Sequence, residues 1–305
     1  MKIIVTGANS AVGRAILRYG SSEGDGKAKF VAAVRSPGAA EEIRSQFGDR
    51  SEVVQIAYSD PASLDAAFKG ACAVIHLAGI LVERRDSTYE QANVESTCRV
   101  ADAAKRNDVK KFVLVSATGA DEKSGNRYYR TKAEAEALVR ASGLRHTIIR
   151  VPLLLGSGTA GAATLQRQLA SAKARLINRG RTLQQPLFVE DLARAAVGAT
   201  QVSVAENATV SLVGPDSLSE REIIQRAAAA SGRNVRISSI PKPLLSLVLA
   251  IRERVAGAGF SRDALDVVTA DSRLDPQPAA RELGIQLAGI DEMIKESLRR
   301  GSPHE

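Results

Sequence analysis

An α/β architecture is what this sequence predicts: a doubly wound parallel sheet followed by a smaller, mostly helical C-terminal lobe. Three observations predict it. Short runs rich in Val and Ile are apolar at nearly every position, which strands buried on both faces require. These runs alternate with amphipathic stretches long enough for helices. The first run also leads into a glycine-spaced turn that opens a helix, the entry of a Rossmann-type sheet. A chain of 305 residues has interior enough for such a fold.

The elements follow in order. "KIIVTG", "KFVAAVR", "VVQIAY", "AVIHLAG", "KFVLVSA" and "HTIIRVPLL" read as strands. Between them, Ala11 to Tyr19, Ala39 to Phe47, Ser63 to Lys69, Tyr89 to Arg106 and Arg130 to Ala141 read as helices. The last ends at Gly143, a residue free to take the left-handed cap conformation. From Gly156 to Arg181 the chain has no clear strand. "PLFVEDLARAAVGAT" returns to a strand or turn and then a helix, and "ATVSLVG" offers a further strand. Beyond Ser217 the pattern is mostly helical, with turns marked by Pro241, Pro243, Pro276 and Pro278. The expected division is a dinucleotide-binding domain over 1–155, completed by 187–214, and a smaller substrate or partner lobe from 156–186 and 215–305.

Composition narrows the partners. A formal charge of +8 suits an anionic ligand, and a cofactor with two or three phosphates is one. Nucleic acid is not expected, because aromatics are only 4%, Trp is absent and the basic residues are scattered. Cys72 and Cys98 each lie in an apolar stretch without a CxxC partner, so buried reduced thiols and no metal site are expected. The chain enters a strand at once, leaving no signal peptide, and "PLLSLVLAI" is far shorter than the roughly 20 residues of a membrane span. A cytoplasmic protein without a membrane span is the expectation.

The turn "VTGANSAVGRAI" supplies the first candidate site, through Thr6, Gly7, Asn9, Ser10, Ala11, Val12 and Gly13. In a dinucleotide fold the backbone N–H groups of this turn and the next helix N-terminus face the pyrophosphate. Gly7 can make the tight turn, and Gly13 can let helix and strand pack closely. Ser10 stands where a glycine is usual. Its Cβ obstructs the approach if φ is positive there, whereas its hydroxyl can donate to a phosphate oxygen. Arg35 then ends the second strand, where an acid would bind a ribose 2′-hydroxyl. A guanidinium suits a 2′-phosphate, so NADP(H) is preferred, with NAD(H) as the alternative.

The sharpest signal is "FVLVSATGADEKSGNRYYRTKAEAEALV". Tyr128 and Lys132, four apart, share one helix face, and Ser116 ends the preceding strand at the carboxyl edge of the sheet. A phenol of pKa about 10 needs a nearby cation to act near neutrality, and Lys132 would supply it. Tyr128 is thus the candidate proton donor, Lys132 its electrostatic partner and Ser116 the anchor of a substrate carbonyl or hydroxyl.

With these segments, the sequence resembles the atypical or extended short-chain dehydrogenases/reductases. It is most similar there to the group around the NAD(P)-binding accessory subunit of respiratory complex I, with NmrA-like regulators more distant. "TGANSAVG", "VRSP", "YSDPASLDAAFKGACAVIHLAG", "ANVESTCRVADAAKRNDVKKFVLVSA", "YYRTKAEAEALVRASGL", "IIRVPLLLG" and "LFVEDLARA" carry the resemblance. It implies that Asp60 caps the adenine, although Asp60 also reads as the N-cap of "PASLDAAF". It implies that Leu77, Ala78 and Gly79 line the cofactor, that Lys132 reaches the nicotinamide ribose, and that Pro152, Leu153 and Leu154 flank the nicotinamide. His76 reads as a strand residue and Asp191 as the holder of a loop or helix cap. The expected function is an NADP(H)-dependent oxidoreductase acting on a small, hydrophobic carbonyl or alcohol that the sequence does not identify. The alternative is a non-catalytic redox sensor or accessory factor, with a protein partner on the C-terminal lobe. Members of the resembling group hold the nucleotide without turnover, so the Ser, Tyr, Lys set alone does not prove catalysis.

Overall fold

The computed structural model describes residues 1–22, 28–77, 79–256 and 259–299. In chain order the strands are β1 (Lys2–Thr6), β2 (Lys29–Val34), β3 (Glu52–Gln55), β4 (Ala73–His76), β5 (Lys111–Ala117), β6 (His146–Val151), β7 (Leu154–Leu155), β8 (Lys173–Ile177), β9 (Leu183–Gln184), β10 (Leu187–Phe188), β11 (Ala208–Ser211), β12 (Leu218–Ser219) and β13 (Arg236–Ile240). The helices are α1 (Ala11–Ser22), α2 (Pro37–Phe47), α3 (Pro61–Phe68), α4 (Ser96–Arg106), α5 (Arg127–Ala141), α6 (Ala160–Ala170), α7 (Val189–Gly198), α8 (Glu220–Ala230), α9 (Lys242–Ala256), α10 (Arg262–Val268), α11 (Gln277–Glu282) and α12 (Ile290–Leu298).

Seven strands form one parallel sheet in the order β11-β6-β5-β4-β1-β2-β3. The order reverses beside β1, so the crevice for a ligand lies at the carboxyl ends of β1 and β4. Alternate residues of each strand feed two apolar layers. Ile3, Val5, Ala32, Ile75 and Val113 pack with Ile16, Ile43 and Leu192 from α1, α2 and α7. Ile4, Val31, Val74, Phe112 and Leu114 pack with Leu64, Val100 and Val139 from α3, α4 and α5. Burial on both faces is why these runs lack the polar alternation of a one-sided sheet.

Several boundaries differ from the sequence expectation for local reasons. Pro152 breaks "HTIIRVPLL" into β6 and the short β7, which pairs with β10 rather than the main sheet. The 156–181 stretch holds α6 and an unexpected strand, β8, paired in parallel with β13. Ala174 and Leu176 of β8 are buried while Lys173 and Arg175 are exposed, a period-two pattern that the basic composition obscures. The expected helix from Tyr89 starts with a π turn over Glu90–Glu95 before α4. Gly143, at φ +77°, takes the left-handed conformation after α5 as expected. Cys72 and Cys98 are free thiols but half-buried, not fully buried, and burial together with Asp102 pushes the Cys98 thiol up.

The helical C-terminal region packs into the first of these two apolar layers through Ile223, Ile224, Leu283, Ile290, Met293 and Ile294, and polar side chains add to the fastening. Gln185 donates to the Gly214 and Leu274 carbonyls at 3.0 and 2.7 Å. Asp191, fully buried, pairs with Arg194 and accepts the Ala288 N–H at 2.8 Å, so it holds a loop as the sequence suggests. Ser297 Oγ accepts the Gly156 N–H at 2.8 Å. No helix among the described residues is long and apolar enough to cross a membrane.

Candidate active site

The turn after β1 is built by the residues the sequence singles out. Gly7 sits at φ +70°, and the Ser10 N–H closes the turn on the Gly7 carbonyl at 3.0 Å. A Cβ on Gly13 would stand 2.5 Å from the Ala8 carbonyl oxygen, so only glycine lets α1 approach β1 here. Ser10 is not in the left-handed region, which removes the expected steric obstacle. Its Oγ accepts the Gly13 N–H at 3.0 Å, so Ser10 caps the first turn of α1. That bond uses a lone pair and leaves the hydroxyl proton for another acceptor. Asn9 and Ser10 are exposed, Ala11 and Val12 half-buried, and Thr6 fully buried.

Around the turn, the other cofactor candidates fall along the same crevice edge. Arg35 is exposed at the end of β2 and forms no ion pair among the described residues. Asp60 Oδ1 accepts the Ala62 N–H at 3.0 Å, a helix cap for α3. The Leu77 N–H reaches the Thr6 carbonyl at 3.3 Å, and Ala78 lies outside the described residues. Pro152 and Leu154 are half-buried and Leu153 is exposed on the chain between β6 and β7. After β7, Gly158 comes to the turn that follows β1; a Cβ there would lie 3.7 Å from that of Ala11.

The Ser, Tyr, Lys set is positioned by β5 and α5. Asn126 Oδ1 caps α5 by accepting the Tyr128 and Tyr129 N–H groups at 3.1 and 3.3 Å, and its Nδ2 donates to the Asp263 carbonyl at 2.9 Å in α10. One turn on, Lys132 is buried and its Nζ donates to the Val115 carbonyl at 3.0 Å, next to Ser116. Burial lowers the Lys132 ammonium to about 8 against the opposing pull of Glu136. Glu136, fully buried, grips Arg150 of β6 through two bonds of 2.8 and 2.6 Å and so clamps α5 to the sheet. Ser116 Oγ is buried and has no hydrogen-bond partner. Such orphans are uncommon in native interiors, and Ser116 is the one of three among the described residues, with Ser51 and Gln168, that lies in the candidate Ser, Tyr, Lys set.

Tyr128 departs from the expected chemistry. It is half-buried among Tyr89 and Tyr129, with ring centroids 5.9 and 5.6 Å away. Burial pushes its phenol above the usual range, and the two neighbouring phenols add to the shift. Lys132, engaged at Val115, does not lower it as the i,i+4 spacing suggests. Shared helix face is thus met, but the cation is drawn down to the sheet.

Two residues that carry the site are not foreseen in this role. Asn93, fully buried in the π turn, accepts the Ile80 N–H at 3.2 Å and donates to Thr131 Oγ1 at 3.0 Å. His76 bridges Thr6 Oγ1 at 2.7 Å and Thr97 Oγ1 at 3.2 Å, and Thr97 donates to the Asn93 carbonyl at 2.6 Å. Burial lowers His76 to about 3, so this row of polar groups is neutral from the turn to α5. The available signal was Asn93 itself, a poor helix former in the middle of a helical run.

Gly79 links the two halves of the site. A Cβ there would meet Asn93 Oδ1 at 2.9 Å and Lys132 Nζ at 3.3 Å. Bare backbone, a buried ammonium and a buried amide thus meet at the carboxyl edge, with the unpartnered Ser116 hydroxyl next in the chain to the carbonyl that holds Lys132. That donor set fits a ligand with phosphates, ribose hydroxyls and a carbonyl.

Comparison with known proteins agrees. Residues 7–182 match the NAD(P)H-binding family. The chain is 25% identical over 248 residues to the NADH-ubiquinone oxidoreductase 40 kDa subunit, mitochondrial, of Neurospora crassa, covering 80% of this chain and 65% of that subunit. It is 28% identical over 242 residues to the ceramide reductase of Caulobacter vibrioides, covering 79% and 74% of the two chains. In fold it is similar to the UDP-glucuronic acid 4-epimerase from Bacillus cereus in complex with NAD, with a TM-score of 0.76, 16% identity and 97% of each chain covered. With a match spanning more than half of its length, a doubly wound sheet and a glycine turn of this geometry, the chain belongs to the NAD(P)H-binding family.

Proposed function

We propose that the protein is an NADP(H)-dependent oxidoreductase that interconverts a small, hydrophobic carbonyl compound and its alcohol. The observation that carries the proposal is the buried, unpartnered Ser116 hydroxyl beside the strand carbonyl that holds Lys132. A hydroxyl kept without a partner in an interior costs about 1–3 kcal/mol, which a substrate oxygen accepting its proton would offset. The nicotinamide group supplies hydride chemistry when bound. The turn from Gly7 to Gly13 would hold the pyrophosphate, Arg35 the 2′-phosphate, and Gly79 with Lys132 the nicotinamide ribose. Ser116 would orient the substrate oxygen, and Tyr128 would give or take its proton. For that transfer Tyr128 has to come within the field of Lys132, because burial among two other phenols opposes its ionisation.

A non-catalytic, nucleotide-holding role in a larger assembly is the second reading. Two observations favour it: the raised Tyr128 phenol, and the likeness to a protein named as an oxidoreductase subunit.

The test is a screen of hydrophobic aldehydes, ketones and quinones with NADPH, followed by Tyr128→Phe. This substitution keeps the ring packing, so cofactor affinity should stay within a few-fold while turnover falls by roughly 10²- to 10⁴-fold. A variant as fast as the parent overturns the assignment, and tight NADPH binding without any turnover favours the second reading. Cofactor choice is tested separately by thermal shift. NADPH should stabilise more than NADH at matched concentration, and Arg35→Ala should erase the difference; equal shifts in the parent would refute the preference.

A further inference from the structure

Among the described residues, seven large apolar side chains are exposed, and four of them lie on one helix: Leu244, Leu247, Val248 and Ile251 of α9, each more than half exposed. Their spacing places them on a single stripe of about two turns. The opposite side of α9 is also apolar, with Leu249 buried at 5%. A helix that is apolar all round is normally buried all round. The outer face of α9 is therefore a surface with a missing cover.

Charge identifies the cover. Gly259, just beyond α9, donates to the Glu83 carbonyl at 3.0 Å, and a Cβ on it would stand 2.3 Å from the Arg252 guanidinium. The backbone at Glu83, followed in the chain by the exposed Arg84 and Arg85, is thereby brought to the end of α9 that carries the exposed Arg252 and Arg254. At the other end, Arg179 and Arg181 line an open cleft of about 500 Å³ with Ser239 and Pro241. None of these six arginines has an ion-pair partner among the described residues. The carboxylates nearby are mostly neutralised: Asp266 pairs with Lys242 at 2.9 Å, and Glu253 with Arg262 at 2.9 Å. Asp271, in the cleft, accepts the Leu183 N–H at 2.7 Å, and Asp86 is exposed between Arg85 and Ser87.

We propose that this face of α9 docks on an anionic lipid bilayer, with the four apolar side chains entering the headgroup boundary and the arginines meeting lipid phosphates. An apolar strip with cations at both ends matches that surface in both respects. A second copy of the chain matches it poorly, because a two-fold contact through the stripe would bring one arginine-rich rim against another. The proposal is independent of turnover. It has a bearing on the active site, since α10, which follows α9, holds the start of α5 through Asp263.

The experiment is vesicle flotation of the full chain with phosphatidylcholine alone and with phosphatidylcholine containing a quarter phosphatidylglycerol. The bound fraction should be at least ten-fold larger on the anionic vesicles and should fall as salt is raised. The double substitution Leu247→Ser with Ile251→Ser should abolish binding to both, with thermal unfolding unchanged because both residues are exposed. Arg252→Gln with Arg254→Gln should lower binding to anionic vesicles several-fold and leaves the apolar stripe intact, so it tests the idea even if the first variant folds badly. Absence of binding to either vesicle overturns the proposal. So does binding that neither variant changes, and so does a dimer, seen by sedimentation, that the Leu247, Ile251 variant dissociates.

Discussion

The sheet half and the C-terminal helical region of this protein share an apolar layer but differ in how much they add to it by polar side chains. In the sheet, β1, β2, β4 and β5 contribute Ile3, Ile4, Val5, Val31, Ala32, Val74, Ile75, Phe112 and Val113, all fully buried, and helices cover both faces. Position in that half follows from apolar patterning and parallel register. The C-terminal region shares one apolar layer with the sheet through Ile223, Ile224, Leu283, Ile290, Met293 and Ile294, and adds short ribbons, β9 with β12 and β8 with β13, and polar side chains reaching across long stretches of chain, as Gln185, Asp191 and Ser297 do. On the proposed function, the sheet half would carry the cofactor side of the site and the C-terminal region would face the substrate. The difference teaches that the two regions can be perturbed separately, which the substitutions below exploit.

The largest expected effect sharpens the picture of the sheet half, because Lys132 is a charge that half buries. Its folded value of about 8 lies below the ordinary 10.5. Between those values the unfolded chain binds more protons, so stability rises with pH across that window. Below pH 8 both states are protonated and the desolvation cost is carried in full. Lys132→Met removes the term. The stability of the parent relative to that variant should thus increase by roughly 2 kcal/mol from pH 7 to pH 10, read from urea unfolding at both values. An unchanged difference would mean that Lys132 is solvated and that the buried-ammonium account of the site is wrong.

Asp191→Ala probes the other half. It removes the acceptor of the Ala288 N–H and the carboxylate paired with Arg194, which keeps its bond to the Gln286 carbonyl, at an expected cost of about 1–3 kcal/mol. Hydrogen exchange should quicken in 285–299 and stay unchanged in β1, β4 and β5. Uniform quickening across the sheet would show that the two halves unfold as one unit, and the contrast between them would fail.

How much of this was legible in the sequence follows the same contrast. The main strands were readable because burial on both faces leaves runs without polar residues, and Gly7 and Gly13 because their conformation and packing admit no side chain. β8 was hidden, since its buried partners Ala174 and Leu176 are small in number and its exposed Lys173 and Arg175 look like loop composition. The Ser116, Tyr128 and Lys132 set was readable as residue types at a spacing. The direction of Lys132 was not, because it is decided by a backbone carbonyl of β5, seventeen positions away in sequence. Asn93 and His76 were present as letters, but their roles depend on Thr6, Ile80, Thr97 and Thr131 arriving from four different elements or loops.

The smallest expected effect concerns Ser10, where the sequence left two outcomes open and the structure supplies a third. As an N-cap, Ser10 stabilises α1 through its bond from Gly13. Ser10→Ala should therefore cost about 1 kcal/mol, whereas Ser10→Gly should cost only a few tenths, since glycine is itself tolerated at the cap. Cofactor affinity separates the remaining roles. If the hydroxyl proton reaches a phosphate, both substitutions weaken NADPH binding alike, because both remove the hydroxyl. If Ser10 only caps, Ser10→Gly leaves affinity within about two-fold, as the amides of the turn still point the same way. The second result is expected, because the Gly7 to Gly13 backbone is already fixed by the Ser10 N–H to Gly7 bond, which both variants retain. A tenfold loss of NADPH affinity in both variants, measured by titration, would assign the serine to the phosphate and make the turn a side-chain site rather than a backbone one.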